Sequence, residues 1–251
     1  APHVVSDQIQ VGVEGYRDVD WFWSVEAYAR SLDGVVTFNP ADDPNDELDD
    51  NLTGEGLSYG IDFFLRKETG AVTGWAAASV LRAERTFPDP LSPLQPRPEI
   101  TYSPIFDRRL DLDVVMNYPA PWGWEGGLRW NFGSGIPYTR AIGSYAYYSP
   151  RFVGGGGLQW SGAEDGIVDE YGVVLEQRNG SRFPTYHRLD VSFRKTFTKG
   201  WGTLTPYVNV LNVYNRRNPL FFFFEYESTP PVRSGVSMFP VLPTFGLEVT
   251  F

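Results

Sequence analysis

Apolar and polar residues alternate with a period of two along almost the whole chain, and the 3.6-residue period of an amphipathic helix is nearly absent. Ile9, Val11 and Val13 alternate with Gln8, Gln10 and Glu14, and Trp21, Trp23, Val25, Ala27 and Ala29 with Ser24, Glu26, Tyr28 and Arg30. Leu57, Tyr59, Ile61, Phe63 and Leu65 then oppose Ser58, Asp62 and Arg66. A fourth run, from Val72 to about Ala83, is so rich in alanine that its pattern does not say which face points inward. Leu110, Leu112, Val114, Met116 and Tyr118 oppose Arg109, Asp111, Asp113 and Asn117, and Trp124, Leu128, Trp130 and Phe132 oppose Glu125, Arg129 and Asn131. Leu189, Val191, Phe193 and Phe197 face away from Asp190, Ser192, Arg194 and Thr196. An eighth run spans roughly Thr203 to Val213, and the last sets Val241, Pro243, Phe245, Leu247, Val249 and Phe251 against Thr244, Glu248 and Thr250.

These nine runs predict nine antiparallel strands of about ten residues, the length that crosses a bilayer when tilted by roughly 45°. Connection lengths alternate too. Short turns are expected at 16–21, 67–72, 118–124 and 198–202, and long loops at 34–56, 85–108, 133–187 and 214–239. Outer-membrane barrels have short periplasmic turns and long extracellular loops, so the last strand runs downward and ends at Phe251 on the periplasmic side.

A soluble β-sandwich also alternates and is also punctuated by Gly and Pro. Two features favour a membrane barrel. Large aromatics (Trp21, Trp23, Tyr59, Tyr118, Trp124, Trp130 and Phe197) stand near strand ends on the apolar face, as interfacial girdles do. Full charges of both signs stand mid-strand on the other face, which a dry core could not hold unpaired and a wet or plugged lumen can.

Composition narrows the picture. The chain has 251 residues, 42% hydrophobic and 21% charged, and no Cys, which removes disulfide frameworks and thiol sites. A net charge of -10 argues against any grip on nucleic acid. No apolar run approaches the ~18 residues of a membrane helix, and the mean hydropathy is -0.28. The absence of an initiator Met and of a signal peptide leads to the expectation that the chain is processed, trimmed or part of something longer.

Several stretches carry a family resemblance. Gly56-Leu-Ser-Tyr-Gly-Ile-Asp-Phe-Phe-Leu-Arg-Lys-Glu-Thr-Gly70 with Val72-Thr-Gly-Trp75, Phe106-Asp-Arg-Arg109, Arg129-Trp-Asn-Phe-Gly-Ser-Gly-Ile-Pro-Tyr138, Tyr186-His-Arg-Leu-Asp190 and Tyr207-Val-Asn-Val-Leu-Asn-Val-Tyr-Asn215 resemble segments of TonB-dependent outer-membrane receptors, in the family's order. Leu242-Pro-Thr-Phe-Gly-Leu-Glu-Val-Thr-Phe251 resembles the family's closing strand, whose terminal aromatic the barrel-assembly machinery recognises. The resemblance implies an all-β, antiparallel transmembrane barrel of 22 strands with an N-terminal plug. Residues 1–251 would be its C-terminal part, strands fourteen to twenty-two, without the plug. It further implies energy-coupled uptake of a scarce nutrient such as a siderophore, vitamin or glycan. The implied partners are the outer-membrane lipid, the protein's own plug, a TonB-type energy transducer and a possible surface lipoprotein or other subunit. No enzymatic activity and no cofactor are implied. The alternatives are a small stand-alone barrel of about eight or ten strands acting as a surface adhesin, and a soluble secreted carbohydrate binder.

Candidate chemistry is sparse. His3 and His187 lack a metal-ligand partner at i+4, and Gly154 to Gly157 lacks the Lys-Ser/Thr of a phosphate-binding loop and reads as a loop tip. Asp111 and Asp113 share a strand face, and lumen pairing with Arg109 and Arg129 is expected of them rather than acid-base work. The run from Asp42 to Asp50, with Asp42, Asp43, Asp46 and Asp49, is a weak Ca²⁺ candidate that lacks the Gly of an EF-hand-type loop. Tyr145, Tyr147, Tyr148, Arg151 and Trp160 in the longest loop are ligand-binding candidates, where rings could stack on a sugar or pack the loop. Phe221 to Phe224 read as a hairpin above the membrane or as a partner contact. Glu14, Glu26, Arg30, Asp62, Arg66, Asp111, Glu125, Arg129, Asp190, Arg194 and Glu248 are expected to face the lumen. By resemblance they would hold the plug through bonds that break when it is pulled, and on the residues alone they form a wetted wall.

Overall fold

A computed structural model describes residues 3–39, 51–92, 94, 96–147, 150–153, 157–160, 170–225 and 232–251. The elements in chain order are β1 (Val5–Arg17), β2 (Trp21–Phe38), β3 (Asn51–Lys67), β4 (Thr73–Pro88), β5 (Glu99–Tyr102), β6 (Leu110–Ala120), β7 (Trp124–Gly133), β8 (Pro137–Tyr138), β9 (Ala141–Tyr147), β10 (Pro150–Val153), β11 (Gly157–Trp160), β12 (Glu170–Leu175), β13 (Ser181–Arg182), β14 (Tyr186–Arg194), β15 (Phe197–Lys199), β16 (Gly202–Leu211), β17 (Pro219–Glu225), β18 (Val232–Ser237) and β19 (Leu242–Thr250). The protein is all-β. Its main sheet runs β1-β2-β3-β4-β6-β7-β14-β16-β19, antiparallel throughout, with β15 continuing β14 along β16 and β5 added to β4. The nine long strands coincide with the nine alternating runs, because each run has one face in contact with each of two different surroundings.

Register settles the faces. Val11, Ala27, Ile61, Val80 and Leu110 are successive cross-strand partners, as are Trp23, Leu65, Ala76, Val114, Trp130 and Leu189. One residue away, Gly12, Glu26, Asp62, Ser79 and Asp111 form a row on the opposite face. The alanine-rich β4 is thereby oriented: Ala76 and Ala78 stand with Leu65 and Phe63, Ala77 with Phe64 and Asp113.

No described residue covers the apolar face. Among the described residues only Ala83, Phe87 and Ala141 are buried hydrophobics, while Ile9 is 68% exposed, Val11 69% and Phe245 88%. A soluble sandwich would cover such a face with a second sheet about 10 Å away. Glycines seat large rings along the wall. A Cβ on Gly126 would lie 2.4 Å from the Tyr118 ring, and one on Gly246 2.4 Å from the Tyr207 ring, so each aromatic lies across a strand where no side chain stands.

Four strands outrun the ten-residue expectation: β1 has 13 residues, β2 18, β3 17 and β4 16. The span 34–56, read from sequence as one long loop, therefore carries paired strand at both ends, 34–38 in β2 and 51–56 in β3, and the span 85–108 holds the end of β4 and all of β5. Past the alternating runs, backbone pairing continues without an apolar alternation to announce it. A bulge at Gly34, with φ of +75°, shifts the β2 register between Asp33 and Val35; a Cβ there would sit 2.3 Å from the His3 carbonyl oxygen. The longest connection is also structured: β8 pairs β13, β9 pairs β12 and β10 pairs β11. Phe221 to Phe224 lie in β17, which pairs β18 in a hairpin.

Candidate functional site

The charged side chains expected to share a face do so in the backbone register. Glu26 pairs across to Asp62, Arg66 to Trp75, Asp111 to Ser79, Arg129 to Asp190, Arg194 to Glu125 and Glu248 to Thr205; Arg30 and Glu14 continue the face on β2 and β1. Arg194 Nε donates to Glu125 at 2.7 Å, and Arg66 pairs with Glu68 at the adjacent turn. These pairs are well exposed, and such pairs contribute no more than about 1 kcal/mol each. Asp62 accepts from the Ser79 hydroxyl and Asp113 from the Asn131 amide, while Arg30 Nε donates to Ser6 Oγ at 2.9 Å. Glu14, Glu26, Arg129 and Glu248 form no ion pair among the described residues.

The pairing expected for the Asp111 and Asp113 carboxylates is corrected. Asp111 pairs with Arg108 at 3.2 Å, Asp113 with Asn131, and Arg109 turns to Asp107. The physical reason is reach: Arg109 precedes β6 and meets the loop carboxylate two residues away before it meets a strand residue. Asp190 is engaged twice, by Arg188 at 2.8 Å and by the Asn212 N–H at 2.9 Å, so it fastens the top of the β14–β16 hairpin. Low on the same face an open cleft of about 850 Å³ is lined by Asn117, Glu125, Ser192, Arg194, Asn209 and Glu248.

At the ends of these strands, a node that periodicity could not reveal organises the connections. Asp107 is 0% exposed. Its carboxylate accepts from the Ala83 N–H at 2.7 Å, from Arg109 Nε at 2.8 Å and from Arg182, and Arg182 also donates to the carbonyls of Asp107 at 2.7 Å and Gly135 at 3.0 Å. Burial alone would raise the Asp107 carboxyl, but the Ala83 N–H and the two guanidiniums outweigh it and hold the group below its ordinary value. Nearby, Asn179 Nδ2 donates to the Ser103 carbonyl at 2.8 Å. Arg178 donates to Thr37 Oγ1 at 3.2 Å, with its guanidinium 4.3 Å from the Tyr102 ring centroid. The end of the longest connection is thus tied across the extended tips of β2 to β5.

A second brace joins that connection to the β17–β18 hairpin. The rings of Tyr138, Phe183 and Phe222 meet at centroid distances of 4.6 to 5.4 Å, and Arg233 lies 4.4 Å over Phe222 while donating to the Tyr138 hydroxyl at 3.1 Å. The hairpin's base is an asparagine clamp. Buried Asn212, at φ of +53°, donates to the carbonyls of Arg216 and Phe239, and buried Asn218 exchanges bonds with the His187 backbone. A sequence signal that points to this clamp is the Asn spacing at 212, 215 and 218: Asn212 and Asn215 take positive φ, which Asn tolerates, and Asn bonds locally.

The aromatic candidates scatter. Tyr145 lies across Gly172, where a Cβ would sit 2.1 Å from its ring. Tyr147 pairs Glu170 in the β9–β12 ladder, and Arg151 and Trp160 are backbone members of the β10–β11 hairpin. Tyr148 lies outside the described residues, as do the acidic run at 42–50 with Asp42, Asp43, Asp46 and Asp49, and the glycines at 154–156. Among the described residues no group of three or more His, Asp or Glu could hold a metal ion, and no helix is long and apolar enough to cross a membrane. Phe251 is 96% exposed beside Trp201, their rings 6.1 Å apart.

No protein-family model matches the chain, and no curated protein matches it. Over 97% of its length the chain is similar in structure to the FrpB iron transporter from Neisseria meningitidis (F3-3 variant), with 13% sequence identity and a TM-score of 0.49. It spans 30% of that chain.

Proposed function

We propose that this chain is the C-terminal wall of an outer-membrane barrel receptor that takes up a scarce nutrient through a plugged lumen, energised by a TonB-type partner. The observation that carries this reading is the two-faced sheet: an apolar, aromatic-edged face that no described residue covers, opposite a face bearing carboxylates and guanidiniums of both signs. Lipid covers the first, and water and plug face the second. The family motifs quoted above support the TonB coupling and the nutrient class. In this reading the wall charges hold the plug with exposed, individually weak contacts that a pull can break, and the braced mouth holds the ligand-facing loops in place.

The test is the intact mass of the native polypeptide extracted from outer membranes in detergent. A mass several-fold above 28.3 kDa is expected; a mass at 28.3 kDa would contradict the receptor and favour a small adhesive barrel. A second expectation concerns assembly. Deleting Phe251, bare at the end of the last strand, lowers the amount of heat-modifiable barrel in outer membranes several-fold, whereas an unchanged yield would remove its role as an assembly signal.

A further inference from the structure

At the short-turn end of the sheet, two cations stand on the apolar face rather than on the charged one. Arg17, Trp21, Lys67, Gly74 and Met116 are successive cross-strand partners, so Arg17 and Lys67 flank Trp21 in the last row of the face that carries Leu65 and Val114. Lys67 Nζ lies 5.8 Å from the Trp21 ring centroid and donates to the Val72 carbonyl at 3.3 Å. It also lies over Gly70, where a Cβ would meet it at 3.0 Å. The carboxylates of this end are engaged elsewhere: Glu68 with Arg66 and Asp20 with the Thr69 hydroxyl, while Asp18 lies in the turn itself. Arg17 and Lys67 form no ion pair among the described residues. The chain's other lysines, Lys195 and Lys199, also stand at a short turn of this end.

A slot runs up the apolar face from this row. Gly74 leads to Ala76 and Ala78, which floor a cavity of about 370 Å³, with Leu65 on β3 and Val114 on β6 as its walls and Trp23 and Trp130 beyond them. The flanking strands β3 and β6 are two strand spacings apart, roughly 9–10 Å. Their side chains fill the sides, so the slot takes one extended hydrocarbon chain.

We propose that this surface binds one anionic glycerophospholipid, its phosphate at Arg17 and Lys67 and one acyl chain in the slot over Ala76 and Ala78. Long basic side chains lay their stems along apolar surface and keep their charge at the lipid–water boundary, where each favours an anionic headgroup. Trp21, between the two cations, stands where an indole partitions, at that same boundary. A second copy of the chain fits less well, because a two-fold axis along the membrane normal would set Arg17 and Lys67 against their own copies. The inference rests on the proposed function only in placing the apolar face in lipid; it needs neither plug nor energy coupling.

The test is native mass spectrometry of the full-length protein in detergent, with phosphatidylglycerol and phosphatidylcholine of the same acyl chains added in equal amounts. One phosphatidylglycerol is expected to be retained at about fivefold or higher occupancy over phosphatidylcholine, the factor that one well-placed cation supplies. Lys67→Gln combined with Arg17→Gln removes that preference. Ala76→Leu, which fills the slot, lowers retention of both lipids, and Lys199→Gln, on the same rim but away from the slot, changes neither. Equal retention of the two lipids by the parent protein, a preference that survives the double substitution, or an equal loss with Lys199→Gln would overturn the site. Retention unchanged by Ala76→Leu would overturn the placement of the acyl chain. Absence of period-two lipid contact along β6 would overturn the membrane reading itself, whereas intact alternation without a lipid preference overturns this site alone.

Discussion

Ala78→Arg lowers the unfolding free energy of the full-length protein in lipid vesicles by about 2–4 kcal/mol, while Ala77→Arg, one residue away, changes it by less than about 1 kcal/mol. The two alanines have the same chemistry and opposite surroundings. Ala78 stands between Phe63 and Leu112 in the middle of the apolar face, so a guanidinium there must enter hydrocarbon or distort the bilayer. Ala77 stands between Phe64 and Asp113, where an added cation meets water and a carboxylate. Urea titration followed by tryptophan fluorescence measures both, and equal costs would contradict the assignment of faces.

Asp107→Ala opens the mouth. Removing a fully buried carboxylate leaves Arg182 and the Ala83 N–H without their acceptor, and breaking a buried pair costs about 3 kcal/mol or more. The effect is local, so it is read as hydrogen exchange of the 178–182 amides accelerating by on the order of 100-fold, with the lower strand amides unchanged. The carboxyl is depressed in the folded state, so its contribution is complete above the ordinary aspartate value near about pH 4 and is lost as pH falls through the lower folded value. Exchange in the parent protein therefore accelerates only below about pH 4. The Asp107→Asn variant loses that dependence. Acceleration beginning near neutrality would point to another group.

The strands and faces were legible because lipid-like and wet surroundings impose opposite demands on successive residues. Leu112 and Asp113 announce their faces without any knowledge of neighbours. Where the demand vanished, so did the signal. Ala76, Ala77 and Ala78 fit either face, and only the partners Leu65, Phe64 and Phe63 orient them. The ends of β2 and β3 at 34–38 and 51–56 carry no apolar alternation and read as loop. The mouth was hidden for a different reason. Asp107 and Arg182 are 75 positions apart, and no periodicity links a loop carboxylate to a guanidinium across that distance. The Arg85 guanidinium lies over Gly56, where a Cβ would meet Nη1 at 1.7 Å, and shows the same limit, since glycine on a strand says that something comes close but not what. Asp190 was legible as a wall residue, yet its two engagements with Arg188 and Asn212 depend on a turn that pattern alone does not place.

The central claim is that one face of this sheet lies in lipid and the other in an aqueous lumen. Because the 251 residues contain no cysteine, single cysteines can be introduced without background from this segment. Nitroxide labels placed at each position from Leu110 to Tyr118 on β6, in the full-length protein reconstituted into vesicles, report collision with oxygen, which concentrates in lipid, and with a water-soluble nickel chelate. Oxygen access is predicted to peak at Leu112, Val114 and Met116, and nickel access at Asp111, Asp113 and Asn117, with a period of two. High nickel access at all positions, or no alternation, would contradict the account.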